Sequence, residues 1–222
     1  MLNFIGDLHG TAFICAGLGL ILVLIISLSL HEFGHAFVAY KQGDMSPKAM
    51  GRVTINPLAH IDPIGFMCCV LFGFGWAKPV LINPLKFRNY KKGCFLTSIA
   101  GVIVNLILAF LGCGLYYGIL RIAIANNLAL NSNEFLLFAY YFAYFMFQIN
   151  ICLFVFNLLP IYPLDGFNAI AAYAKYENKY INFMRRYGSW ILILFLVFGN
   201  SILFRLCEWI GWPLEMFWGL IF

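Results

Sequence analysis

The chain has 222 residues, of which 63% are hydrophobic, 18% aromatic and only 10% charged, and its net charge is +5. Soluble domains carry about 25% charged residues, so this composition excludes an ordinary soluble fold. It predicts an all-α, polytopic membrane protein that forms one domain over residues 1–222. A small positive charge does not require nucleic acid as a partner, and none is expected.

Four apolar runs are long enough for membrane helices, which need about 20 residues to cross a bilayer. The predicted spans are Thr11–Tyr40, Phe95–Leu120, Phe135–Leu159 and Tyr187–Leu206. The first run lacks a basic N-terminal region and a small-residue cleavage site, which favours a retained helix over a signal peptide.

Basic residues are concentrated in two of the loops that join these spans. Of the 14 Lys and Arg, eight lie between the first and second spans and four between the third and fourth. Basic loops stay in the cytoplasm, so both termini are expected outside. The sequence thus predicts a multi-pass protein of the inner or plasma membrane, with the end of its first helix at the cytoplasmic side.

The first span ends in residues 31–35, which read His-Glu-Phe-Gly-His. Helical spacing puts His31 and His35 one turn apart on one face, where two imidazole nitrogens can hold a zinc ion. Glu32 then lies beside the ion as a general base for water. Ionisable groups in a membrane segment are costly and mark functional sites, which favours this interpretation over a polar helix end.

The loop after the first span contains a short internal repeat. Residues 53–58 read Val-Thr-Ile-Asn-Pro-Leu and residues 80–85 read Val-Leu-Ile-Asn-Pro-Leu. Each unit is a β-prone run closed by an Asn-Pro turn, which predicts a small membrane-associated β-hairpin or sheet in the cytoplasmic loop. An exposed edge at Val53 or Val80 could receive a peptide as an added strand, or the strands could only cover the bundle.

The apolar segment Ile64–Trp76 between the two repeats is too short to span and is expected to be re-entrant or interfacial. In the second span, Asn105 follows a run of small residues and should face protein. It is a weaker candidate for substrate contact, as are Val53 and Val80.

The third span ends at two prolines, Pro160 and Pro163, which must break the helix because neither has an amide N–H. Asp165 follows them. It could simply cap the next helix. It could also be the third ligand that His31 and His35 require, because catalytic zinc sites use three protein ligands and a water.

These motifs together resemble the site-2 proteases, which are membrane-embedded zinc metalloproteases of peptidase family M50. The match rests on His31–Asp44, on the Gly-Arg to Ile-Gly stretch at 51–65, and on the Asn-Leu-Leu-Pro to Leu-Asp-Gly stretch at 157–166. The segment 74–84 is similar to the short bacterial and archaeal members, which lack PDZ and CBS domains. The resemblance covers about residues 15–170.

The resemblance implies that His31, His35 and Asp165 bind one Zn²⁺ per chain, that Glu32 is the base, and that Asn157 holds the scissile peptide or its oxyanion. A catalytic core at about 11–180 and a C-terminal transmembrane helix with a tail at 181–222 are expected. The expected activity is cleavage of transmembrane segments in regulated intramembrane proteolysis, with single-span membrane proteins as partners alongside the lipid bilayer.

Two other functions remain open at this point. A membrane metal transporter or sensor could use the same ligands but would not need Glu32, and it should place polar residues deep in several spans. A catalytically inactive scaffold could bind single-span proteins, although the intact Glu32 argues against it. Neither the substrate nor the oligomeric state follows from the sequence.

Overall fold

The computed structural model describes residues 8–72, 75–130, 133–175 and 178–222. Across these residues the chain forms eight α-helices, two short 3-10 helices and no β-strand, so the all-α class is confirmed. In chain order the helices are α1 (Thr11–Gln42), α2 (Ser46–Ala49), α3 (Pro63–Phe72), α4 (Tyr90–Ala125), α5 (Glu134–Leu158), α6 (Asp165–Ala171), α7 (Lys179–Phe198) and α8 (Asn200–Ile221).

Four helices are long and apolar enough to cross a membrane by length and composition, namely α1, α4, α5 and α7. The first three of them match the first three predicted spans, and two of these helices begin at a polar cap. The side chain of Asn89 accepts the amide of Lys92 at the start of α4. The side chain of Asn133 does the same for the amide of Phe135 in α5.

Helices α1, α4 and α5 pack against one another through small residues. Ala16, Ala109 and Ala143 are fully buried, one on each of the three helices. At Gly19 a Cβ atom would lie only 3.2 Å from the backbone nitrogen of Phe142. Membrane helices associate through such close backbone approach because lipid provides no hydrophobic drive between them. This three-helix core holds the site described below.

The C-terminal part differs from the prediction of one span at Tyr187–Leu206 followed by a tail. Gly199 divides the region into α7 and α8, and the Gly-Asn pair at 199–200 is a helix-stop signal through which the predicted span ran. Helix α8 packs antiparallel to α5. Gly211 faces the ring of Phe147, and further along α8 the indole N–H of Trp218 donates to the carbonyl of Phe110 at 3.0 Å.

Helix α7 begins and ends near the same end of the bundle. The hydroxyl of Tyr180 in its first turn donates to the carbonyl of Pro160, just beyond the end of α5. Because α8 is antiparallel to α5, it starts near the end of α5. Helix α7 ends directly before α8 and therefore ends there too. The sequence between Lys179 and Phe222 therefore forms two helices where one span and a tail were expected.

The predicted β-hairpin is wrong for the described residues. Each Asn-Pro pair instead begins a 3-10 helix, at Pro57–Ala59 and at Pro84–Lys86. The side chain of Asn56 accepts the amide of Leu58 at 3.1 Å, and Asn83 accepts that of Leu85 at 3.2 Å. The repeat is therefore real, but it encodes two similar turns in place of two paired strands.

The backbone before the second 3-10 helix is extended but has no partner strand among the described residues. Its amides donate hydrogen bonds to side chains of α1 and of the loop. The amide of Val80 donates to Glu32 Oε2 at 3.3 Å, and that of Asn83 donates to Asp44 Oδ2 at 2.7 Å. In the predicted re-entrant segment, α3 packs side chains against the core of α1 and α5, while residues 73 and 74 lie outside the described residues.

Asp44 ties this extended segment to the end of α1. Its carboxylate is fully buried and also accepts the amide of Ser46 at 3.0 Å. Burial raises the pKa of Asp44, but its hydrogen bonds with Asn83 and Ser46 and the charge of Lys86 lower the pKa below its ordinary value. The folded state therefore favours the ionised carboxylate.

Asp44→Asn is expected to lower the thermal midpoint in detergent by about 3–10 °C, because hydrogen bonds to a charged group contribute about 1.5–3 kcal/mol. Since the folded pKa lies below the unfolded value of about 3.9, the contribution is present above that pH and is lost as the pH falls through the folded pKa. Asp62→Asn is the matched control, because it keeps the oxygen that accepts the Gly65 amide. Equal midpoints for the two variants would contradict this role.

Candidate metal centre

The two histidines of α1 meet inside the bundle. His31 and His35 are both buried, and their Nε2 atoms lie 3.1 Å apart. The Nδ1 atom of His35 lies 2.7 Å from the carbonyl oxygen of Thr97 on α4. A carbonyl can only accept, so this Nδ1 carries the ring proton and the Nε2 of neutral His35 presents a lone pair. That lone pair faces His31.

Asp165 approaches the histidines from the far side of the interruption between α5 and α6. Helix α5 ends at Leu158, and α6 begins at Asp165 itself. Gly166 permits the tight return, because a Cβ there would collide with the carbonyl oxygen of Leu158. The Asp165 Oδ2 atom then lies 3.3 Å from Nε2 of His31 and 3.2 Å from Nε2 of His35.

Asp165 does not act as the N-cap of α6. Leu164 holds the N-cap position of α6, and that helix has no side-chain cap hydrogen bond. Asp165 Oδ2 is buried and receives no hydrogen bond from the described part of the chain. The lone pair of His35 Nε2, the Nε2 atom of His31 and one such carboxylate oxygen thus converge at a buried point, and a cation among them would offset the cost of burying these groups.

The spacing of these three atoms suits a tetrahedral metal ion. Ligand atoms about 2.0–2.1 Å from a tetrahedral ion lie about 3.3 Å from one another. The three separations here are 3.1, 3.2 and 3.3 Å. His31, His35 and Asp165 are also a group whose ligand atoms could hold a metal ion. Three protein ligands leave a fourth position for water or substrate.

A cavity of about 610 Å³ opens beside these atoms. Glu32 lines it next to the histidines, and the amide of Val80 from the extended segment donates to the Glu32 carboxylate. The cavity is therefore lined by α1, α4, the end of α5, α6, α7 and the loop. Its further lining includes Pro79, Ile82, Thr97, Ser98, Asn157, Asn168 and Arg185.

The residues that the sequence predicted to contact the substrate differ in their position relative to the cavity. Asn157 lines the cavity, and its Nδ2 donates to the carbonyl of Leu153 in its own helix at 3.0 Å. Val80 also lines the cavity, whereas Val53 is not among the lining residues. Asn105 is not among them either; it is fully buried beside His31, with Nδ2 3.0 Å from the Nδ1 atom.

Sequence reasoning missed Thr97, Gly101 and Arg185. Thr97 contributes a backbone carbonyl, which every residue type has, so no sequence signal could identify it. Arg185 lines the cavity from α7, whose position the sequence did not give. Gly101 could have been identified from the sequence, because it lies in the run of small residues from 98 to 104 that indicates close helix packing.

Gly101 lets α4 pass directly against the imidazoles. A Cβ atom at this position would lie 2.6 Å from Cε1 of His31 and would also collide with Nε2 of His35. Gly101→Ala is therefore expected to destabilise the protein by about 1–3 kcal/mol through overpacking. The measurement is the thermal midpoint in detergent.

Gly17→Ala on α1 is the matched control, because a Cβ there meets nothing within 4 Å. Its midpoint should be unchanged or higher, since Ala forms helices better than Gly by about 1 kcal/mol. A Gly101→Ala protein as stable as the Gly17→Ala protein would contradict the close approach.

Comparison with known proteins identifies relatives of one kind. The sequence model described as Peptidase family M50 matches residues 121–198, a range that contains Asp165. YwhC of Bacillus subtilis, named as a candidate zinc metalloprotease, is 42% identical over 156 residues, which cover 68% of this chain and 67% of YwhC.

Two further relatives are more distant. Rip2 of Mycolicibacterium smegmatis, also named as a candidate zinc metalloprotease, is 28% identical over 196 residues, which cover 83% of this chain and 70% of Rip2. The zinc metalloprotease MJ0392 of Methanocaldococcus jannaschii is 25% identical over 183 residues, which cover 81% of this chain and 42% of that protein. No solved structure is significantly similar to the chain.

Proposed function

The chain belongs to peptidase family M50, and we propose that it is an intramembrane zinc endopeptidase that cleaves transmembrane segments of other membrane proteins. One observation carries this proposal. Two imidazoles and a carboxylate converge inside a bundle of membrane-type helices, and a second carboxylate, Glu32, lines the cavity beside them. The names of the relatives identify zinc as the metal.

His31, His35 and Asp165 would hold one Zn²⁺ per chain through Nε2, Nε2 and Oδ2. When bound, zinc supplies Lewis acidity, which lowers the pKa of a water ligand toward about 7 and polarises a peptide carbonyl. A histidine that binds metal is neutral, and the carbonyl of Thr97 holds the ring proton of His35 on the nitrogen that faces away from the site.

Glu32 would move the proton in peptide hydrolysis. It accepts a proton from the attacking water as the oxygen–carbon bond forms, and it delivers that proton to the amine as the carbon–nitrogen bond breaks. The Val80 amide donates to Oε2 and so orients this carboxylate. Asn157 lies on the same cavity and would donate its amide to the oxyanion after releasing the Leu153 carbonyl.

The substrate must enter as an extended chain, because helical amides are hidden from a base. Pro79, Val80 and Ile82 line one wall of the cavity with extended backbone. A substrate segment could lie along this wall, with Val80 beside the scissile bond. Val53 lies away from the cavity lining and has no such role in this proposal. Single-span membrane proteins are the simplest substrates that can present one unwound segment.

The site would open toward the cytoplasm. The loop between α1 and α4 carries five of the 14 basic residues, three more lie in the adjoining turns of these two helices, and the loop forms the wall beside Glu32. The positive-inside rule then places the ends of α1 and α5 at the cytoplasmic side. Helix α8 would return to the outer side, which leaves both termini outside. Water would reach the cavity from the cytoplasm.

Substrate trapping tests the proposed function. A tagged Glu32→Gln protein would be captured from membranes in mild detergent, and the retained proteins identified by mass spectrometry. Each retained protein would then be reconstituted in vesicles with the wild-type enzyme, and its products mapped. We expect cleavage inside a transmembrane segment that a zinc chelator stops and added Zn²⁺ restores. Cleavage confined to soluble loops, or zinc uptake into the vesicles without cleavage, would contradict the proposal.

A further inference from the structure

Asn105 occupies an unusual position on α4. Its side chain is fully buried, and the amide lies 3.0 Å from Nδ1 of His31, on the side of the ring away from the cavity. Its Oδ1 atom has no hydrogen-bond partner among the described residues. A buried amide oxygen without a partner costs about 1–3 kcal/mol, so this arrangement calls for a physical reason.

The chemistry of His31 indicates which end of the amide must face it. Nε2 of His31 points at His35 and Asp165, so a ligand role requires its lone pair there and the ring proton on Nδ1. That Nδ1–H needs an acceptor, and Nδ2 of Asn105 is a donor. The oxygen and nitrogen of a carboxamide have nearly the same shape, so rotation by half a turn presents Oδ1 to the Nδ1 proton.

We propose that Asn105 is a positioning residue for the metal centre: its side-chain oxygen accepts the Nδ1 proton of His31 and fixes the tautomer and ring orientation in which Nε2 binds metal. This inference rests on the proposed zinc function. It gives His31 the same kind of outer partner that Thr97 provides to His35 through a backbone carbonyl. Such outer partners typically govern metal affinity.

Asn150 on α5 provides a matched comparison within the same bundle. It is also fully buried, but its Nδ2 donates to Ser27 Oγ and to the carbonyl of Met146, both at 2.8 Å. Neither of these hydrogen bonds involves one of the three proposed metal ligands. Loss of either asparagine should disturb packing, whereas loss of Asn105 alone should weaken zinc binding.

The test measures the Zn²⁺ dissociation constant of the purified full-length protein in detergent, by competition with a chelator. Asn105→Leu, which removes the acceptor at similar volume, should weaken binding by about 10- to 100-fold. Asn105→Asp keeps an acceptor oxygen and should restore most of the affinity. Asn150→Leu should bind zinc as the wild type does. If Asn105→Leu does not fold, Asn105→Ala removes the acceptor with less steric change.

Three results would overturn the proposal: unchanged affinity in Asn105→Leu, equal weakening by Asn150→Leu, or no recovery in Asn105→Asp. A wild-type protein that binds no zinc at all would instead refute the proposed function, and this outcome is distinct from the other three.

Discussion

Glu32→Gln is expected to lower kcat by about 10²–10⁴-fold while zinc remains bound, because it removes the general base and none of the proposed ligands. The fold should be preserved. A glutamine oxygen can still accept the amide of Val80, which donates to Glu32 Oε2 in the wild type. The measurements are product formation from a trapped single-span substrate in vesicles and zinc content by elemental analysis.

Glu134→Gln is the control for this substitution. Glu134 is the first residue of α5, at the end of the helix remote from Leu158 and Asp165, and it is exposed. Its variant should cleave and bind zinc as the wild type does. If Glu32→Gln retained full activity, Glu32 would not be the base and the mechanism would be wrong. If it lost its zinc, the carboxylate would belong to the ligand set.

Asp165→Ala is expected to lose both zinc and activity. The carboxylate oxygen lies within 3.3 Å of both Nε2 atoms and is the only one of the three proposed ligands that does not come from α1. Its removal should weaken zinc binding by more than about 100-fold, the upper end of what loss of an outer partner costs. Chelator competition in detergent measures this directly.

Asp62→Ala is the matched control for the loss of a carboxylate. Asp62 accepts a local amide, that of Gly65 at 2.8 Å, in the loop before α3. The Asp62→Ala protein should bind zinc with wild-type affinity even if its stability falls slightly. An Asp165→Ala protein with wild-type zinc affinity would show that α6 supplies no ligand, and the centre would need a different third donor.

Local sequence signals predicted the parts of the site that depend on spacing along one element. His31 and His35 are four residues apart on a helix, so their convergence follows from helical geometry. The break at Pro160 and Pro163 follows from proline chemistry, and it placed Asp165 at the start of a new helix. The sequence left two roles open for that carboxylate, and the distances to the histidines favour the ligand role.

Features that depend on contacts between distant segments could not be predicted in the same way. The β-prone runs before Asn56 and Asn83 suggested strands, but their amides find acceptors on Glu32 and Asp44. The partner of Asn105 is a histidine 74 residues away, and only the packing of α4 on α1 reveals it.

X-ray absorption at the zinc K-edge of the purified wild-type protein reports directly on the zinc centre that α1 and α6 would share. We predict one zinc per chain with two imidazole nitrogens and oxygen ligands at about 2.0–2.2 Å. The chain also carries seven cysteines, each a free thiol. A sulfur shell at about 2.3 Å, or a spectrum without imidazole scattering, would contradict a site built from His31, His35 and Asp165.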